Sequence, residues 1–418
     1  MARVIMIGAG LAGIAAAVEA AAAGHAVELH EAAGRAGGRC RSFHDATLDC
    51  EIDNGNHLLL SGNRSAMAYL ARIGAADRLY GPDHAEFPFF DLDTGARWAL
   101  SLSEGRFPRW IFDPARRAPD TRPRDYLSAL RLLLAGRDRT VADVLPADGP
   151  LYRRFWEPLV VAAINDDPAH AAARLMRPVL LETVARGGRF ARPLIARRSL
   201  ADSFVDPALD WLRAHGAAVH LNSRLTALDM DGKRIAALEL SGTRRSLAAD
   251  DRVVLALPPW QAGSLLPDLD VPDPGAPIVN VHYRLPSAPS PEPVRLTGLI
   301  GGLTQWIFLR GEIASVTISA ARDAARMDAA EIAATCWREV AQALELGDMA
   351  LPPVRVIKEK RATFAATPAM LARRPGPRSR WRGLYLAGDW TATGLPATIE
   401  SAIRSGHNAV KAIERDLT

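Results

Sequence analysis

The chain has 418 residues, 49% hydrophobic and 23% charged, with a formal net charge of +4. That composition excludes a disordered, collagenous or disulfide-framework protein and supplies a sizeable core, most simply in two domains. Of its 51 basic residues only Lys233, Lys358, Lys360 and Lys411 are lysine, and the arginines are spread rather than blocked, which argues against nucleic-acid binding and leaves an anionic membrane surface open. Cys40, Cys50 and Cys336 have neither CxxC nor metal-ligand spacing, so no metal is expected and a reducing, cytoplasmic setting is the natural one.

The first predicted element is a buried strand over 3–7 (RVIMI), which stops at glycine and so does not read as a leader peptide. It runs into Gly8-Ala9-Gly10-Leu11-Ala12-Gly13 and an alanine-rich helix, the order a dinucleotide turn requires. Gly8 permits the tight turn, Gly10 lets backbone approach a pyrophosphate, and Gly13 lets helix and strand pack closely, while Leu11 and Ala12 open the helix with free N–H groups. A second strand over 26–30 ends at Glu31, placed to accept hydrogen bonds from ribose hydroxyls. Directly after it, the double-glycine turn 34–39 brings Arg39 and main-chain N–H groups toward the same pyrophosphate.

Residues 66–200 are helical in pattern and rich in arginine, proline and aromatic rings. Within them Arg106-Phe107-Pro108-Arg109-Trp110-Ile111-Phe112, followed by Arg116 and Arg117, mixes basic and aromatic side chains as an interfacial membrane contact does; a surface loop over buried rings is the other reading. A helix at 211–215, a turn at Gly216 and a strand over 219–225 come next, then a hairpin-like excursion around Gly242 and a strand over 252–257 stopped by two prolines. Strands are expected over 278–283, 305–309, 314–319 and 354–360, with a helix over 328–344 and a proline-rich turn at 286–293. Near the end a short apolar strand closes on Gly388-Asp389, and a helix opens at Thr398 and Ile399. Nucleotide-type segments at both ends imply a discontinuous cofactor domain, 1–65 with 201–275 and 375–418, interleaved with a substrate domain of 66–200, largely helical, and 276–374.

The succession of GxGxxG, Glu31 and the turn at 34–39, with the Gly388-Asp389 strand and the helix after it, resembles the FAD amine oxidases and phytoene desaturases. The resemblance implies an α/β, two-domain, FAD-binding Rossmann-like fold with a mixed sheet-plus-helix substrate domain. It implies that Asp389, beside Gly388, binds the ribityl or pyrophosphate portion, that the helix at Thr398 and Ile399 faces the flavin ring, and that the backbone of Leu225 meets the adenine side. It also implies that Gly55, Asn56 and His57 return beside the isoalloxazine. No cysteine lies near the C-terminal segment, so noncovalent FAD is expected.

A narrower resemblance rests on Asp53-Asn54-Gly55-Asn56-His57, Gln305-Trp306-Ile307-Phe308, residues 358–365 and residues 388–400. These look like the hydroxysqualene dehydroxylases of bacterial hopanoid and isoprenoid biosynthesis, with Asn56 standing where glutamine is expected. The implied reaction is reductive loss of an allylic hydroxyl from a long isoprenoid substrate, giving squalene. Such chemistry requires an acid and an apolar pocket tolerant of a cation. His57 is the first candidate for the acid or for a flavin contact, against a structural histidine. Asp166, beside Asp167, is the second, against a helix cap before Pro168. Trp306 is a candidate for stabilising a cation by its ring face, against plain packing. Rival readings are a carotenoid-type desaturase, an amine oxidase, or a non-catalytic prenyl-binding protein. With no second GxGxxG in a strand-and-helix setting, the electron donor is unassigned. The expected partners are the isoprenoid and, peripherally, the inner face of the cytoplasmic membrane.

Overall fold

A computed structural model describes residues 1–292 and 294–418. The last residue of the proline-rich turn expected at 286–293 therefore lies outside the described residues. One sheet is five-stranded and parallel, in the order Ala218–His220, Ala26–His30, Arg3–Ile7, Arg252–Leu255, Leu384–Leu386. The runs RVIMI and RVVL are apolar without alternation because both faces of a parallel sheet are covered. Helix Leu11–Ala22 packs against the sheet and against the C-terminal helix Ile399–Leu417. The two helices approach so closely that a Cβ on Gly406 would sit 2.4 Å from the Ala12 carbonyl oxygen. Small residues along the first helix thus serve helix contact, and the distant end of the chain is drawn to the beginning.

The second sheet has seven strands in the order Val354–Glu359, Ile278–Arg284, Ile313–Ile318, Trp306–Arg310, Val294–Ile300, Glu86–Asp91, Arg97–Ser101. Its pairs are antiparallel except that of Val294–Ile300 with Glu86–Asp91. Period-two alternation gives it two unlike faces. Val279, Val281, Tyr283, Ala314, Val316 and Ile318 pack with helix Ala329–Leu344, while the alternate positions Asn280, His282, Ser315 and Thr317 form a buried polar face. A three-stranded meander, Leu225–Asp231, Arg234–Leu240 and Thr243–Ser246, flanks the first sheet.

One sequence expectation is supplemented and one is corrected. Residues 66–200 are not simply helical: EFPFFD and RWALS pair as strands across the turn at Gly95 and extend the second sheet. Alternating aromatic side chains suit a pleated surface, and pairing with Val294–Ile300 supplies the partner that the local sequence cannot show. The strand expected over 219–225 breaks after His220, where Asn222 turns the chain at a φ of 56°, and Leu225 opens a separate strand. Among the described residues no helix is long and apolar enough to cross a membrane.

Candidate flavin site

Gly8 has a φ of 102°, and Gly13 lies so near it that a Cβ there would be 1.9 Å from the Gly8 carbonyl oxygen. Gly10 differs. It caps the helix at a φ of −74° with no side-chain hydrogen bond, and a Cβ on it would meet nothing within 4 Å. The space over Gly10 is therefore open, and the first-turn amides that include Leu11 and Ala12 have no acceptor within the helix. Open space at the positive end of a helix suits a pyrophosphate. Glu31 is fixed beside this turn by accepting hydrogen bonds from the N–H of Ala9 (2.8 Å) and of Ala33 (2.9 Å). The Ser223 N–H donates to the Glu31 carbonyl at 2.8 Å, which brings the segment entering Leu225 alongside.

The second glycine turn lies on the first. The Gly37 N–H donates to the Ala9 carbonyl at 2.7 Å, and a Cβ on Gly38 would be 3.2 Å from the Gly10 Cα. Arg39 leaves this turn to donate to Asp389 Oδ1 at 2.7 Å and to the Ala362 carbonyl. Gly388 holds a φ of 149°, its N–H donates to Ser405 Oγ, and the neighbouring Trp390 ring donates to the Leu257 carbonyl. Thr398 caps the last helix by accepting from the Ser401 N–H at 3.1 Å, Ile399 is buried at its first turn, and Ser401 Oγ donates to the Asp389 carbonyl.

One residue organises that loop. Arg374, 8% exposed, donates to the carbonyls of Asp389, Trp390, Thr391 and Leu395 and to Thr393 Oγ1, and lies over the Phe364 ring. Burial pushes it down to about 10, so it remains charged at neutral pH, with carbonyl dipoles in place of a bonded carboxylate.

The strand Cys50–Asp53 brings the third group. Buried Asp53 accepts from Arg310 (2.7 Å), Ser42 Oγ (2.6 Å) and the Leu200 N–H (2.8 Å). Gly55 lies against the side chain of Asn280. The Asn56 N–H donates to Asn280 Oδ1 at 3.3 Å and its side-chain amide to Thr317 Oγ1 at 3.1 Å, while Asn56 Oδ1 is buried without a protein partner. His57 lies in the field of Arg39, Asp53 and Asp389, and burial pushes it down to about 4. At pH 7 it is a neutral imidazole with one N–H and one lone pair.

The other two catalytic candidates stand apart from His57 in their contacts. Asp166 is 1% exposed and accepts from Arg322 at 2.8 Å and from the Asp167 N–H at 2.9 Å; its Oδ2 is buried without a partner. Its neighbour Asn165 ties the end of helix Glu157–Ile164 to Ala276, Thr363 and Ala320. Asp166 is thus an ion-paired brace at a junction between segments. Trp306 packs on Phe89 with ring centroids 5.5 Å apart and lies opposite Thr317 in register, which puts it on the same face as the partners of Asn56. Sequence reasoning missed Arg374, Asn280, Thr317 and Arg310. Polar residues alternating with valine at 279–282 were a readable signal; a single arginine among 47 was not.

Residues 11–414 match the flavin containing amine oxidoreductase family. The chain belongs to that family. Family membership makes it a flavin-dependent oxidoreductase. Among relatives, it is 47% identical to the hydroxysqualene dehydroxylase of Rhodopseudomonas palustris, covering 97% of this chain and 96% of the relative. It is 43% identical to that of Sinorhizobium fredii, covering 97% of each. The cyclohexylamine oxidase of Brevibacterium oxydans shares the family fold, with a TM-score of 0.66 over 100% of this chain and 99% of that one, at 16% identity. The two-domain Rossmann-like architecture with a mixed substrate-domain sheet is that of the family.

Proposed function

We propose that the chain binds FAD noncovalently and uses it in reduced form to remove the allylic hydroxyl of hydroxysqualene, giving squalene. The observation that carries this reading is 47% identity to a hydroxysqualene dehydroxylase across 97% of the chain. Noncovalent binding agrees with the thiols. Cys40, the one next to Arg39, is buried and pushed up to about 12, far from the thiolate that covalent attachment needs. Three unpaired cysteines also suit a reducing, cytoplasmic setting.

In the overall change the allylic C–O bond breaks, the oxygen takes a proton and leaves as water, and a hydride forms the new C–H bond. Reduced FAD, when bound, supplies that hydride. The chain's own work is binding, orientation and exclusion of water. The open space over Gly10 and the guanidinium of Arg39 receive the pyrophosphate, and Glu31 the ribose. Neutral His57 orients by its N–H or lone pair, held in place by the bonds of the adjacent Asn56 to Asn280 and Thr317. Trp306 and Phe89 offer ring faces to an electron-poor isoprenoid carbon in an apolar surrounding. An external donor returns two electrons for each turnover.

The test is anaerobic: photoreduce the purified holoprotein, add hydroxysqualene, and follow flavin reoxidation together with lipid mass. Reoxidation matched by squalene is expected. If the flavin stays reduced, while polyenes or amines reduce the oxidised form, the proposal fails in favour of a desaturase or an amine oxidase.

A further inference from the structure

Among the described residues nine large hydrophobic side chains are exposed, and six of them, Phe107, Phe112, Leu127, Leu130, Leu134 and Leu181, fall in one part of the fold. Packing of neighbouring elements links them. Phe107 and Phe112 stack with centroids 6.2 Å apart. Between them Trp110 turns inward onto Tyr126, which anchors the turn that runs into helix Ser128–Leu133. Leu127, Leu130 and Leu134, on the helix and the residues that cap it, recur every three or four residues and so share one face, while Leu132 turns away and is fully buried. The helix packs against Met176–Glu182, which carries Leu181, and the Gly188 N–H bonds the Ser103 carbonyl at 2.7 Å to tie in the loop of Phe107. A folded chain leaves single apolar residues exposed at random; a connected stripe calls for something to cover it.

Charge identifies what covers it. Residues 104–139 hold nine arginines against five acidic residues, and residues 174–192 hold five against one, whereas the whole chain carries only +4. The single acid of the second stretch, Glu182, is taken by Arg404. Arg186 stands among Arg64, Arg106 and Arg189. A second copy docking face to face would set these arginines against one another. Nucleic acid would satisfy the arginines and leave the leucines in water.

We propose that this face docks on an anionic lipid bilayer. Phe107, Phe112, Leu127, Leu130 and Leu134 enter the boundary between headgroups and acyl chains, and the flanking arginines, Arg106 and Arg131 among them, pair with lipid phosphates while their stems lie along the apolar stripe. The proposal stands whichever substrate the flavin serves. It refines the expectation for 106–117: Phe107 and Phe112 face outward, Trp110 is core, and Arg116 and Arg117 are engaged with the carbonyls of Ser101, Leu102 and Ile111.

Flotation of the flavin-loaded full chain with vesicles tests it, using phosphatidylcholine alone and phosphatidylcholine mixed with phosphatidylglycerol. The expected result is binding to the anionic vesicles only, weakened by salt. Leu130→Gln with Leu134→Gln, and separately Phe107→Ser with Phe112→Ser, lower it by about tenfold or more, with flavin content and melting temperature unchanged. Arg106→Glu with Arg189→Glu lowers it likewise. Wild-type protein that ignores anionic vesicles, binds both compositions equally, or is matched by these variants overturns the proposal. A concentration-dependent dimer that these variants abolish, without vesicle binding, also overturns it and makes the face a contact between copies.

Discussion

Arg39 and Asp389 are 350 positions apart in the chain and 2.7 Å apart in the fold. The pair joins the second glycine turn to the C-terminal strand, where the proposed cofactor cradle closes. Asp389 is 5% exposed, so Arg39→Met strands a buried carboxylate and is expected to destabilise the apoprotein by about 2 kcal/mol, the scale of a hydrogen bond to a charged group. Cofactor retention falls with it. Thermal melts of the apoprotein and the ratio of flavin to protein absorbance check both effects, and wild-type values for the variant count against the pair's role.

Gly10 and Gly13 separate binding from folding. Alanine at position 10 keeps an allowed φ and meets no protein atom, so Gly10→Ala should fold with wild-type stability and lose most of its flavin. Gly13→Ala drives a methyl into the Gly8 carbonyl and should lower stability itself. The two are distinguished by comparing apoprotein melting with flavin content. A Gly10→Ala protein that keeps its flavin removes the pyrophosphate from the space over that residue.

Arg374 touches no proposed substrate atom, yet it fixes the loop from Asp389 to Leu395. Arg374→Met leaves four buried carbonyls short of a donor and is expected to cost about 3 kcal/mol or more. Arg374→Lys, with three donors in place of five, should recover only part of the loss. The flavin spectrum gives a readout beyond stability: a loosened loop broadens its bands and raises the dissociation constant for FAD.

His57 and His282 are both pushed by burial from 6.5 down to about 4. The unfolded chain binds a proton at each near 6.5, whereas the folded chain does so only near 4. Their contribution to stability is therefore complete above pH 6.5 and is lost as the pH falls from 6.5 through 4. For His282, wholly buried with Nδ1 2.7 Å from Ser315 Oγ, the contribution amounts to roughly 3 kcal/mol at most. Urea melts across that range should show stability declining with acid, and His282→Asn should flatten the decline. A slope unaffected by the substitution would remove His282 from the account.

Those parts of the site that depend on local stereochemistry were readable in the chain. Gly8, Gly13 and Gly38 are glycine because neighbouring backbone occupies the place of a Cβ or φ is positive, and Glu31 follows from where the second strand ends. The parts that depend on meeting a distant segment were not. The strand Glu86–Asp91 becomes part of a sheet through Val294–Ile300, and Arg310 matters because it finds Asp53 257 positions away. Asp166 and Asp167 looked alike in sequence, yet Asp166 accepts from Arg322 while Asp167 caps the turn to Ala169. No periodicity carries that distinction.

The parallel sheet takes its fifth strand from Leu384–Leu386, and the first helix is covered by Ile399–Leu417. During synthesis the first glycine turn is made before Asp389 and the loop held by Arg374. On the proposed placement of the flavin, its capture waits for that later segment, and colour would mark the meeting of the two parts of the cradle. With the flavin held there noncovalently, as proposed, removal of the segment from 384 onward would release it while the seven-stranded sheet, built entirely from residues before 360, stayed intact.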